Sequence, residues 1–220
     1  MIIVAIDEID INKSKRIIES LDNKKCMVKI GSVAFNSLGR EFIHYVANEN
    51  FEIFLDLKLH DIPNTVSKTI KGLHDLPIKM LTVHASGGKE MMVSAMEAAK
   101  ESKIKIFGVT ALTSLSDDDT NYIFQRTSSE QVEVMLDLAE SAGIDGIVCS
   151  PLELQLVNKR KSLMSITPGI RIKDSHDDQK RVMTPRKAIE LGADYLVIGR
   201  PITDSGNIEK SLNEIYESLK

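Results

Sequence analysis

The sequence predicts a closed (β/α)8 (TIM) barrel folded as a single domain over residues 1–220. Short apolar segments alternate strictly with helical patterns about eight times, the mark of a parallel sheet covered by helices. No linker, low-complexity segment or short-period repeat interrupts the alternation. The length of 220 residues suits one such domain, since these barrels typically take ~250 residues. A doubly wound sheet is the competing arrangement, but about eight units in so short a chain fit closure better.

Each element has its own signal. Met1 to Asp7 is an apolar run ending in a carboxylate, and Ile17, Ile18 and Leu21 give helical spacing over Asn12 to Leu21. Cys26 to Ile30 is apolar, carries Lys29 near its end and is closed by Gly31; a helix is predicted over Phe35 to Val46. The third strand runs into Asp56 and Lys58, and Pro63 opens the helix that reaches Leu73. Lys79 to His84 is the fourth strand, followed by Gly87-Gly88 and a methionine-rich helix to Lys100. Ile104 to Val109 leads into a polar connection, Thr110 to Asp119, where Asp117 to Asp119 read as a solvated turn and cap. A helix over Ser129 to Ala142 stops at Gly143. Strand Gly146 to Cys149, helix Pro151 to Val157 and strand Leu163 to Thr167 come next. A long polar loop, helix Pro185 to Leu191, strand Tyr195 to Ile198 and a last helix to Lys220 complete the series.

Composition narrows the function. A chain 42% hydrophobic and 27% charged is an ordinary globular balance with enough core to fold without staples. A net charge of −4 leaves no electrostatic footprint for nucleic acid or an anionic membrane. No apolar stretch is long enough to span a bilayer, and a strand-like segment at Met1 takes the place of a signal peptide. Cys26 and Cys149 lie in separate strands without metal-ligand spacing and read as core residues in a reducing cytoplasm. Gly-x-Ser-x-Gly, P-loop and Gly-x-Gly-x-x-Gly motifs are absent, so hydrolase, NTPase and dinucleotide readings lack support. Met91, Met92 and Met96 fall at helical spacing and read as core filler.

The chemistry is concentrated in Phe54 to Thr65. Strand side chains alternate, so Asp56 and Lys58 share one face while Leu55, Leu57 and Leu59 take the other. Burying such charges is costly unless they are paired or used. Asp7, Lys29, Asp56 with Lys58, His84 and Arg200 all fall at strand ends, where a barrel builds its active site. A metal held by His60, His84 and Asp56 lacks any tight ligand motif, so no metal is expected.

Asp56-Leu57-Lys58-Leu59-His60-Asp61-Ile62-Pro63-Asn64-Thr65 resembles the signature of the orotidine 5′-phosphate decarboxylase family. The resemblance extends to Val83-His84-Ala85-Ser86-Gly87-Gly88, Leu112-Thr113-Ser114, Thr167-Pro168-Gly169-Ile170-Arg171, Asp178-Gln179 and Val197-Ile198-Gly199-Arg200-Pro201. It implies cofactor-free conversion of orotidine 5′-monophosphate to UMP and CO2, a step of pyrimidine biosynthesis. By resemblance Lys29, Asp56, Lys58 and Asp61 form a charged tetrad in which Lys58 protonates C6. Asp61 and Thr65 would complete the site of a partner in a homodimer. Asp7 and Lys29 would hold the ribose, Ser114 and Pro168 the pyrimidine, and Gln179, Gly199 and Arg200 the phosphate, with Arg171 also on the substrate side. One departure is Ser32-Val33-Ala34, where many members carry an acid before the aromatic residue; it lies off the charged row.

Loss of CO2 from C6 leaves an electron pair in the ring plane, beyond the reach of the π-system, so a fixed cation with a proton to give is needed. Charge pairs at ~4 Å are worth about 4 kcal/mol each at an effective dielectric of 20. The largest enzymatic accelerations require roughly 20 kcal/mol. Phosphate binding must therefore help by closing the site, and the charged segment Arg171 to Thr184 is the expected lid. The alternatives are a Mg²⁺-dependent sugar-phosphate decarboxylase or aldolase of similar barrel architecture, and a non-catalytic nucleotide-phosphate binder.

Overall fold

The computed structural model describes residues 1–171 and 182–219. Eight parallel strands close in sequence order, β1 next to β8. The elements are β1 (Ile2–Ile6), α1 (Ile11–Glu19), β2 (Cys26–Gly31), α2 (Ser32–Asn48), β3 (Ile53–Leu59) and α3 (Pro63–Lys71). β4 (Met80–His84), α4 (Gly88–Ala99), β5 (Lys105–Val109), α5 (Asp117–Phe124), α6 (Ser128–Ala142), β6 (Gly146–Val148) and α7 (Leu154–Val157) follow. β7 (Met164–Thr167), α8 (Pro185–Glu190), β8 (Tyr195–Ile198), α9 (Arg200–Thr203) and α10 (Ile208–Ser218) complete the ring.

Strand alternation divides the core in two. Ile3, Ala5, Met27, Phe54, Met80 and Phe107 fill the barrel interior. Val4, Val28, Ile30, Leu55 and Leu81 face outward against the helices, where Met91 and Met92 are buried as expected of core filler. The interior parity sets the site. Two residues beyond Ala5, Met27, Phe54 and Met80 along their strands come Asp7, Lys29, Asp56 and Thr82. An apolar floor thus passes directly into a polar mouth at the carboxyl ends of β1 to β4.

Three local features depart from the sequence reading. α2 starts at Ser32 rather than Phe35 and is kinked at Gly39, whose φ of 69° only glycine adopts cheaply. Asp117 to Asp119 form the first turn of α5 rather than a solvated turn, and Ser116 is the cap. The Asp119 carboxylate accepts from Ser116 N–H at 2.8 Å, while Asp119 N–H donates to Ser116 Oγ at 3.2 Å. In β3 the register against β4 slips between Leu55 and Leu59, and Lys58 takes a left-handed φ of 52°. Such a conformation costs a non-glycine residue about 1–3 kcal/mol and persists only where its surroundings fix it. Cys26 and Cys149 are free and buried; burial pushes the Cys26 thiol up to about 12. No helix among the described residues is long and apolar enough to cross a membrane.

Candidate active site

Lys29 and Asp56 are almost fully enclosed, at 8% and 6% exposure. Asp56 Oδ2 meets Lys58 Nζ at 2.8 Å and Lys29 Nζ at 3.4 Å, and Lys29 Nζ reaches Asp7 Oδ1 at 3.3 Å. The row therefore alternates in charge, Asp7, Lys29, Asp56, Lys58, across three neighbouring strands. Burial by itself would raise the Asp56 pKa, but Lys29, Lys58 and the hydrogen bonds from Lys58 and Thr82 outweigh it and hold the carboxyl below its ordinary value. Asp56 is thereby fixed as an anion. The attraction offsets the cost of desolvating the charges and is better read as positioning than as stability.

Gly31 makes room for this row. A Cβ at that position would stand 2.9 Å from Lys29 Nζ and 3.0 Å from Asp7 Oδ1. From β4, the buried Thr82 hydroxyl donates to Asp56 Oδ1 at 2.9 Å and accepts from Lys58 N–H at 2.8 Å. His84 on the same strand packs its ring 5.2 Å from that of His60. Burial, then His60 and Lys58, lower the His84 pKa, so its imidazole is neutral at physiological pH.

Beside the row lies a cavity of about 450 Å³. Asp7, Lys29, Pro168, Arg171, Gly199 and Arg200 line it, so six of the residues expected to touch substrate surround one space. Arg171 after β7 and Arg200 after β8 suit an anionic group, because guanidinium forks match phosphate oxygens, and the acids Glu8 and Asp204 line the same cavity. Arg171 is buried and its Nη1 donates to Ile170 O at 2.9 Å.

Other expected residues lie apart from this cluster. Asp61 is exposed just past β3, and its Oδ1 accepts from Ile62 N–H at 2.7 Å. Among the described residues no ion pair joins it to Lys29 or Lys58. Thr65 is exposed on α3, and Ser114 is exposed in the connection between β5 and α5. Gln179 and most of the expected lid lie outside the described residues. Among those described, no group of three or more His, Cys, Asp or Glu side chains is placed to hold a metal ion. Thr82 is the residue that sequence reasoning missed. Its signal was the parity of β4, which puts it between Met80 and His84 on the barrel face.

Fold and site together define a (β/α)8-barrel enzyme with an acid–base row at its mouth and a cavity carrying two arginines beside it. Residues 1–215 match the family model described as orotidine 5′-phosphate decarboxylase / HUMPS family. An orotidine 5′-phosphate decarboxylase of Wolbachia pipientis subsp. Culex pipiens (strain wPip) is 45% identical over 221 aligned positions, covering 99% of this chain and 98% of that protein. Its counterpart in Ehrlichia canis (strain Jake) is 45% identical, covering 99% and 97%. The crystal structure of orotidine 5′-phosphate decarboxylase from Lactobacillus acidophilus superposes with a TM-score of 0.87 at 32% identity, over 100% of this chain and 98% of that one. The chain belongs to the orotidine 5′-phosphate decarboxylase / HUMPS family.

Proposed function

We propose that Lys58 is the proton donor in the reaction this chain catalyses, the decarboxylation of orotidine 5′-monophosphate to UMP and CO2. The bond from C6 to the carboxylate breaks, CO2 departs without the bonding electrons, and the pair remains at C6. A proton passes from the Lys58 ammonium to C6, and the neutral amine is reprotonated from water. Asp56 lies beside the departing carboxylate and holds the Lys58 ammonium, while Lys29 and Asp7 take the ribose hydroxyls. Arg200, Gly199 and Gln179 take the phosphate, with Arg171 beside them, and Pro168 and Ser114 flank the pyrimidine.

The observation that carries this reading is the single carboxylate oxygen of Asp56 shared by two ammonium groups at 2.8 and 3.4 Å. A binding protein needs a cation for the phosphate but has no use for a second lysine held at a buried acid. Asp61 and Thr65 act in the partner's site of a homodimer. Exposed Ile62 (67%) beside Asp61 supports this, since an apolar side chain next to the mouth suits a face covered by another subunit.

Mixing the protein with orotidine 5′-monophosphate and following the loss of pyrimidine absorbance tests the reaction. The family description also names HUMPS, and the competing reading is a Mg²⁺-dependent sugar-phosphate decarboxylase or aldolase. Turnover that persists in excess EDTA supports the metal-free nucleotide reaction, whereas abolition by EDTA with recovery on Mg²⁺ favours the sugar-phosphate alternative.

A further inference from the structure

β4 contributes to the charged row through a residue that carries no charge. The pairing of β3 with β4 runs Leu55↔Leu81 and resumes at Leu59↔Val83, so the chain bulges where Asp56 and Lys58 sit. Lys58 N–H donates to the Thr82 hydroxyl at 2.8 Å. A hydroxyl accepting there has one proton to give, and that proton goes to Asp56 Oδ1 at 2.9 Å. The other carboxylate oxygen is left to Lys58 Nζ at 2.8 Å and Lys29 Nζ at 3.4 Å. Lys58 backbone, Thr82 hydroxyl, Asp56 carboxylate and Lys58 ammonium thus close a ring. Thr82 has 0% exposure, so water does not compete for its hydroxyl.

We infer that Thr82 is a positioning residue for the decarboxylation. Its hydroxyl fixes the rotation of the Asp56 carboxylate toward the two ammonium groups. It also holds the Lys58 backbone in the left-handed turn from which that side chain returns to Asp56. This role rests on the assignment of Lys58 as proton donor, because Thr82 acts only through Lys58 and Asp56. A threonine kept for packing alone would be replaceable by valine, which has nearly the same shape.

Thr82→Val and Thr82→Ser separate the two roles. The valine variant is expected to lose about 10- to 100-fold in kcat, the effect of removing one hydrogen bond to a charged group. KM and the affinity for UMP should stay within about 3-fold, since the phosphate cavity is untouched. The acidic limb of its kcat–pH profile should move to higher pH, because the Asp56 anion loses a donor. The ionisable groups facing Asp56 are Lys29 from β2, Lys58 from β3 and His84 from β4, with Asp7 behind Lys29, and all four remain in the variant. The serine variant should return kcat to within about 3-fold of the parent. A valine variant with parental kcat and an unmoved acidic limb overturns the inference, and so does a serine variant as slow as valine. Should Thr82→Val fail to fold, serine against Thr82→Ala makes the same comparison. Inactivity of the parent protein itself would instead count against the decarboxylase reading.

Discussion

Lys58 Nζ and Asp56 Oδ2, two residues apart on β3, meet at 2.8 Å where the barrel opens. The same oxygen faces Lys29 Nζ at 3.4 Å, so one buried carboxylate orients two cations arriving from adjacent strands. Neither lysine can move without disturbing the other. The consequences are testable at the neighbours of this pair as well as at the pair itself.

Gly31→Ala is predicted to separate function from stability. Its new Cβ would crowd the ends of two side chains, Lys29 Nζ at 2.9 Å and Asp7 Oδ1 at 3.0 Å, rather than backbone. Those ends yield at little cost, so the melting temperature should change by only about 2–4 °C. Lys29 Nζ is displaced by up to ~1 Å while still paired with Asp7 and Asp56, and kcat/KM should fall by about 10²-fold, the sensitivity expected of a misplaced catalytic constellation. Thermal melts and steady-state kinetics on one preparation check both halves.

The pH response has two sources of known sign. Asp56 has a folded pKa below its ordinary value. Its stabilising contribution is therefore present above the ordinary carboxylate pKa of about 3.9 and is lost only as pH falls through the depressed folded value. His84 also has a lowered folded pKa, but it is a base that burial keeps neutral. Its unfolded form takes up a proton first, so stability declines as pH drops below about 6.5. His84→Gln should flatten the fall of melting temperature between about pH 7 and 5. Retention of the full slope in that variant would show that His84 is not its source.

The match between sequence and structure is uneven for physical reasons. Lys29, Asp56 and Lys58 were legible because charges in apolar strands are expensive and strand parity shows where they point. Pro168, Gly199 and Arg200 were placed by resemblance, and the barrel brings them round one cavity. The bulge at Lys58 was not legible, since regular alternation gives no sign of a register slip held by a hydroxyl on the next strand. Thr82 escaped notice because threonine is an ordinary strand residue and its role depends on which atoms face it. α5 was hidden in a polar segment whose helix is secured by a capping box rather than by an apolar stripe.

Arg200→Ala is predicted to act on binding. Arg200 lines the cavity with Arg171, and it stands outside the Asp7–Lys29–Asp56–Lys58 row. Loss of its charged hydrogen bonds should raise KM about 10- to 100-fold while kcat changes less than about 3-fold. A matching weakening of UMP binding, measured calorimetrically, identifies the phosphate as the lost contact. Unchanged UMP affinity would move the phosphate elsewhere in the cavity.

Asp61 offers a test of subunit sharing. It is exposed, and Lys58 belongs to the row that it does not join within one chain. Inactive Asp61→Ala and Lys58→Ala proteins, mixed under exchange conditions, should regain about a quarter of parental activity, because each mixed dimer carries one intact site. No recovery despite demonstrated subunit exchange would place Asp61 outside the partner's site.

The central claim is met most directly by the turnover of Lys58→Ala, measured in EDTA alongside its affinity for UMP. Removal of a general acid that also supplies the cation beside C6 should lower kcat by more than about 10⁴-fold and leave UMP binding within about 10-fold. A variant that still consumes orotidine 5′-monophosphate at a tenth or more of the parental rate would contradict the account, because the proton would then come from another group.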